Sequence, residues 1–233
     1  MNPETIKTEF KKHGPWITQF IINGKSYGGK YNAFDDIRLT WFFEHFPKVE
    51  TILELGSFEG GHTLKLASHP TVTHVLGLDG REANITRASF VHELLESRKV
   101  RFIQTDLEAI DLTKFGKFDA ILCVGVLYHL PEPWKLLRQM ANTAPRAYIW
   151  TQVTSPKKVN TTVNGYMGRF YKEHGLEDRL SGLSSRSFWP TKDALVKMVK
   201  DCGYPNVKEI SRDNYPPDYP VPKENFADLV CQK

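Results

Sequence analysis

Apolar and polar positions along this chain follow two periods, and the switches between them mark out its elements. From 35 to 46 the apolar residues Ile37, Leu39, Trp41, Phe42, Phe43 and Phe46 recur at helical spacing, and Pro47 stops the pattern. Short apolar runs of strand length follow at 51–55, 74–78, 100–104, 118–124 and 147–153. Helix-patterned stretches lie among them at 61–68, 82–97 and 132–142. The second of these has an apolar face of Ile85, Phe90, Val91, Leu94 and Leu95, and the third carries proline in its first turn. Such alternation predicts an α/β fold, a doubly wound and mostly parallel sheet with helices on both faces.

The rhythm breaks after residue 153. Residues 154–190 read as a long connection rich in polar residues, glycine and aromatics. A helix at 191–202 then has Thr191 as its N-cap and Gly203 as its stop. Strand candidates at 207–212 and 227–231 finish the chain, separated by 214–222, which holds too many prolines for regular structure. The expected organisation is an N-terminal cap at 1–48 and one domain at 49–233, with 154–190 as a lid over its substrate.

Composition narrows the picture without deciding it. A chain of 233 residues, 40% hydrophobic and 25% charged, can bury one substantial core. The net charge of +4 is mild and its densest basic pairs, Lys11-Lys12 and Lys157-Lys158, are far apart, so nucleic acid is allowed as a partner but not favoured. Cys123, Cys202 and Cys231 show neither metal spacing nor a disulfide framework. No metal is therefore expected, and the thiols read as reduced. The polar N-terminus has no signal-peptide core, and no apolar stretch has membrane-spanning length, which predicts a cytoplasmic protein with no membrane partner. The oligomeric state leaves no trace in the sequence.

The candidate chemistry gathers at the ends of the predicted strands, where open α/β sheets bind their ligands. The first strand ends in Glu54-Leu55-Gly56-Ser57-Phe58-Glu59-Gly60-Gly61. Gly56 allows a sharp turn there, and Gly60 and Gly61 are expected to let a ligand approach the main chain. Glu54 would repel a pyrophosphate but suits a cationic ligand, so the loop fits an adenosine bearing a sulfonium and an amino acid, S-adenosylmethionine. Asp79 follows the second strand and is placed to accept both ribose hydroxyls. Asp106 follows the third, where a carboxylate can hold an adenine amino group, and Leu107 can cover the base.

This ordered set resembles the class I S-adenosylmethionine-dependent methyltransferases over about residues 50–150. The resemblance implies a Rossmann-like methyltransferase fold of seven strands with the last antiparallel, for which 227–231 is the candidate. It places Glu54, Gly56 and Gly60 in the glycine motif, Asp79 at the ribose and Asp106 at the adenine, with Ser57, Gly80, Leu107, Val124 and Tyr128 beside them. S-adenosylhomocysteine is the implied product. The segment Gly125-Val-Leu-Tyr-His-Leu-Pro-Glu-Pro133 and the entry His13-Gly14-Pro15-Trp16 are similar to those of the carboxymethyltransferases of the tRNA wobble uridine. In that family a lysine, expected to hold the extra carboxylate of carboxy-S-adenosylmethionine, stands where this chain has His13. An imidazole anchors a carboxylate less well than a permanent ammonium, so ordinary S-adenosylmethionine is the expected donor.

Tyr128 offers an aromatic face to a sulfonium. His129 has two readings, a general base for an acceptor hydroxyl or a histidine that fixes the loop to a backbone carbonyl. On the 154–190 connection, Tyr166, Arg169, Tyr171, Arg186 and Trp189 are the expected acceptor-binding residues; the competing reading is that its aromatics merely cap the sheet. The expected function is O-methylation of a small molecule or sugar. A tRNA-modifying methyltransferase or carboxymethyltransferase is the alternative, and a nucleoside-binding protein without catalysis is a third reading. A NAD-linked dehydrogenase is disfavoured, because Gly-Ser-Phe-Glu-Gly-Gly mismatches the dinucleotide spacing.

Overall fold

The computed structural model describes residues 1–217, 219 and 225–233, and the chain falls into two compact units, Met1–Thr105 and Asp106–Lys233. The first unit opens with helix α1 (Pro3–His13), capped by the Asn2 side chain accepting from the Thr5 amide. Strands β1 (Gln19–Ile22) and β2 (Lys25–Gly28) form an antiparallel hairpin. Its turn residues Asn23 and Gly24 both have positive φ, the conformation that Asn-Gly supplies in tight hairpins. Helix α2 (Ile37–His45) starts at Asp36, whose carboxylate accepts from the Arg38 amide. Strand β3 (Thr51–Leu55), helix α3 (Gly61–Ala67), strand β4 (His74–Asp79), helix α4 (Glu82–Leu94) and strand β5 (Val100–Gln104) complete the unit, with β3, β4 and β5 parallel. Ile52, Leu53, Leu55, Leu66 and Leu78 are fully buried in its core.

Helix α4 departs from expectation. It stops at Leu94, and Leu95 is exposed while Asn84, Arg87, Ala88 and Val91 form the buried face. Two polar residues go inward because their partners are there: Asn84 donates to Asp79, and Arg87 donates to the carbonyls of His13 and Ala83. Hydrophobic periodicity is blind to such bonds.

The second unit carries strand β6 (Ala120–Val124), helix α5 (Pro133–Thr143) and strand β7 (Arg146–Gln152), with β6 and β7 parallel. Residues 154–190, expected as an irregular connection, instead contain β8 (Thr161–Val163), β9 (Tyr166–Lys172) and β10 (Arg186–Pro190), a separate antiparallel sheet in the order β10-β9-β8. A second Asn-Gly turn with positive φ, Asn164-Gly165, joins β8 to β9. Helix α6 (Lys192–Asp201) is capped by Thr191 and followed by Gly203 at φ 115°. Strand β11 (Asn206–Glu209) is shorter than expected, and β12 (Phe226–Gln232) runs antiparallel to both β7 and β11. Of the proline-rich 214–222 stretch, residues 218 and 220–222 lie outside the described residues. The seven strands of the main sheet have the order β11-β12-β7-β6-β3-β4-β5, which is the doubly wound, mostly parallel fold with an antiparallel last strand.

Candidate functional site

In the first unit, Gly56 (φ 74°) turns the chain out of β3, and the amides of Gly56 and Ser57 both donate to the Leu78 carbonyl. Asp79, at the end of β4, is buried and fixed from both sides. Its Oδ2 accepts from the Phe58 amide at 3.0 Å, and its Oδ1 accepts from the Arg81 amide at 2.9 Å and from Asn84 at 3.0 Å. Burial raises its pKa against the pull of those three bonds. The Ser57 hydroxyl is buried and has no hydrogen-bond partner, and Gly80 follows Asp79 with its carbonyl facing the Gln104 amide group. A carboxylate held in one orientation, with lone pairs beyond its three bonds and a buried hydroxyl left over on the adjoining loop, fits a hydroxyl-rich nucleoside.

Glu54 and two glycines of this loop have partners within the protein. Glu54 is buried and accepts from the Thr63 hydroxyl on α3, with His62 Nδ1 3.7 Å away, so it braces the helix that follows the loop. Burial pushes its pKa up to about 7. Gly60 and Gly61 make room for the protein itself. A Cβ on Gly60 would lie 2.9 Å from Phe102 and one on Gly61 2.6 Å from Ala33.

Two groups that the sequence reading passed over, Glu59 and Asp36, organise this half. Glu59 is fully buried and accepts from the amides of Ile17 and Thr18 at 2.9 and 2.6 Å, with Arg87 Nε 3.8 Å away. It thereby ties the N-terminal segment to the glycine loop. Asp36 gathers Arg38, His62 at 3.0 Å and Tyr31 at 2.7 Å. Burial opposes its charge, yet Arg38 and His62 hold its carboxyl well below the usual range. His13 stacks on Phe90 at 4.4 Å.

In the second unit, Val124 ends β6 half-buried, Gly125 (φ 80°) turns the chain, and residues 127–129 form one 3-10 turn. Strand β10 holds that turn on both sides: the Trp189 indole N–H donates to the Tyr128 carbonyl at 2.7 Å, and the Phe188 amide donates to the Leu130 carbonyl at 2.9 Å. His129 places Nδ1 3.2 Å from Glu173, a buried residue just after β9. Glu173 also accepts from the Gly182 amide and the Ser187 hydroxyl, each at 2.7 Å, and from the Ser181 hydroxyl at 2.5 Å. Burial works against its charge, but His129, the two hydroxyls and the amide lower its pKa to about 2. Asp106 is exposed and accepts from the Glu108 amide, and Leu107 beside it is buried.

Of the expected acceptor-binding residues, Arg169, Tyr171 and Trp189 come together. Tyr171 stacks on Trp189 at 4.5 Å, and the Arg169 guanidinium lies 4.9 Å from the same ring. Arg186 does not join them. It sits an odd number of residues from Trp189 on β10, so strand alternation sends it to the other face, where it covers Phe170 at 4.4 Å. Tyr166 is buried beside Trp134 and donates to Asp201 on α6, so it serves packing rather than an open rim. The three cysteines are free and buried. Among the described residues, no group of three or more His, Cys, Asp or Glu is arranged to hold a metal, and no helix is long and apolar enough to cross a membrane.

Comparison with known proteins adds three findings. Residues 48–168 match the family model described as a methyltransferase domain. A tRNA U34 carboxymethyltransferase from Pasteurella multocida is 24% identical over 164 residues, covering 69% of this chain and 47% of that protein. A ubiquinone biosynthesis O-methyltransferase from Stutzerimonas stutzeri is 26% identical over 47% of each chain. The chain spans between 24% and 60% of the length of the first curated relatives it matches. Among solved structures, the N-terminal domain of EvdMO1 in the presence of SAH and D-fucose is 31% identical, with a TM-score of 0.84 over 99% of this chain and 96% of that one. Against the longer EvdMO1 chain, this protein covers 47% of its partner.

Proposed function

The chain belongs to the methyltransferase-domain family, and from that premise we propose that it transfers a methyl group from S-adenosylmethionine to a hydroxyl of a small molecule or sugar. The observation that carries this reading is the oriented, buried Asp79 beside a glycine turn in the first unit; within the second unit, His129 stands on a turn clamped by β10. The likeness to the EvdMO1 domain, crystallised with SAH and a sugar, supports both the donor and the acceptor class.

When bound, S-adenosylmethionine supplies a methyl group activated by its sulfonium charge. Asp79 accepts the ribose hydroxyls, Ser57 and the Gly56 and Gly80 backbone line the same loop, and Asp106 with Leu107 receives the adenine. Tyr128 and Val124 would help hold the donor, Tyr128 offering an aromatic face to a sulfonium. His129 takes the proton of the acceptor hydroxyl as the oxygen becomes methylated. Arg169, Tyr171 and Trp189 hold the acceptor, because an arginine stacked on aromatic faces presents its N–H groups to hydroxyls or anions at little entropic cost. Residues 1–48 act as a cap and 154–190 as the substrate-facing part.

Calorimetry with S-adenosylmethionine, S-adenosylhomocysteine and NAD tests the donor. The first two should bind, and Asp79→Ala should weaken them by about 1–3 kcal/mol, the scale for hydrogen bonds to a charged group. Tight NAD binding with no S-adenosylhomocysteine signal refutes the reading. A second reading, methylation of tRNA, is favoured by the carboxymethyltransferase relatives. Methyl transfer to transcribed tRNA but to none of a panel of sugars and phenols would establish it. Carboxy-S-adenosylmethionine is not the expected donor, since His13 is stacked on Phe90 and no lysine stands in its place.

A further inference from the structure

Glu173 lies 44 residues from His129 in the sequence, and its buried carboxylate, held by three donors of its own segment, also faces the imidazole. Its side chain is 3% exposed, against 21% for that of His129. Every donor around it belongs to the 173–187 turn except His129 Nδ1, at 3.2 Å from Oε1 and 3.3 Å from Oε2. The same turn is moulded to the histidine: a Cβ on Gly182 would fall 2.5 Å from the His129 carbonyl oxygen and 3.1 Å from its Cβ.

We propose that Glu173 is the positioning residue for His129, holding the Nδ1–H tautomer and leaving Nε2 with the lone pair that accepts a proton. The inference deepens the methyltransferase reading and rests on it for its catalytic meaning. A carboxylate offers only acceptors, so the nitrogen that meets it must carry hydrogen, and in a neutral imidazole the other nitrogen is then the acceptor. In the transfer step the acceptor oxygen gains the methyl group, its proton passes to His129 Nε2, and the sulfur leaves as a neutral thioether. The imidazolium so formed is stabilised by the adjacent carboxylate and then loses its proton to solvent.

The geometry also says what Glu173→Gln does. The Gly182 amide N–H donates at 2.7 Å to Oε2, so it selects the glutamine oxygen for that place. The glutamine NH₂ then occupies the Oε1 place, beside Ser187 and His129 Nδ1, where it can only donate. Nδ1 then faces a donor at 3.2 Å and the retained oxygen at 3.3 Å, so the preference for Nδ1–H weakens and the Nε2–H form, which is not a base at that nitrogen, gains population.

The test is long-range ¹⁵N–¹H correlation of the imidazoles in the full chain at a pH where His129 is neutral, with the signal assigned through His129→Gln. Wild type should show Nδ1–H, and Glu173→Gln should gain an Nε2–H population while binding S-adenosylhomocysteine within about twofold of wild type. A wild-type Nε2–H tautomer overturns the proposal, and that measurement needs no variant to fold. An unchanged tautomer in a folded Glu173→Gln protein overturns it too. Loss of S-adenosylhomocysteine binding by the wild type would sink the methyltransferase reading instead, so the two failures are distinguishable.

Discussion

Replacing Glu59 should loosen the N-terminal segment around Ile17 and Thr18, because one buried side chain accepts from both of their amides. Its Oε2 accepts from two consecutive amides, Ile17 at 2.9 Å and Thr18 at 2.6 Å, and Arg87 Nε stands 3.8 Å from Oε1. A hydrogen bond to a charged group contributes about 1.5–3 kcal/mol against about 0.5–1.5 for a neutral one, so Glu59→Gln should lose about 2–3 kcal/mol over the two amides. Glu59→Ala leaves both amides without that acceptor and Arg87 without that charge, and should cost about 4 kcal/mol. Urea unfolding reads the total. At about 2–4 °C per kcal/mol for a chain of this size, Glu59→Gln should lower Tm by about 4–12 °C. Amide hydrogen exchange locates the effect: Ile17 and Thr18 should lose protection before the β3–β4–β5 core does. Glu9→Gln, which removes an exposed ion pair with Lys12, is the control and should change stability little. If Glu59→Gln unfolds at the wild-type urea concentration with Ile17 and Thr18 still protected, the carboxylate does not hold the segment.

Glu54 gives a pH dependence of definite sign. Its carboxyl is raised from 4.5 to about 7 by burial, so between those values the folded chain binds more protons than the unfolded one. The stability it contributes is full below pH 4.5 and is lost as pH rises through about 7, a change on the order of 3 kcal/mol. Glu54→Gln should flatten that part of the stability–pH curve, and a curve parallel to wild type would contradict the assignment. Gly182→Ala drives a Cβ to 2.5 Å from the His129 carbonyl and should cost about 1–3 kcal/mol in urea unfolding; a neutral result means the turn yields freely. Once an acceptor is identified, Arg169→Ala should raise its KM by roughly 10–100-fold with little change in kcat, while Arg186→Ala should leave KM near wild type. Equal effects would mean that the two faces of β10 do not have different duties.

What the sequence determined by itself is local. The β3, α3 and β4 spans and the helix after Thr191 follow from runs and periods that a residue shares with its near neighbours, whereas the antiparallel direction of the last strand was implied only by the resemblance to methyltransferases. The strand-end position of Asp79 follows as well, because a carboxylate that closes an apolar run before a glycine has few other places to go. Asn23-Gly24 and Asn164-Gly165 belong here too. Both hairpins carry Asn-Gly at their turns, and 154–190 read as irregular because polar residues and glycines interrupt the apolar and aromatic positions of its strands. Tertiary structure alone decided which charges meet. Glu59 finds Ile17 and Thr18 across 42 and 41 residues, and Glu173 finds His129 across 44. Glu54 meets Thr63 and His62 on α3, and Arg186 is separated from Trp189 by the alternation of a strand not foreseen there. The physical reason is common to all of these. A buried polar group must be satisfied by whatever donor or acceptor the fold brings to it, and that partner carries no mark at its own position in the chain.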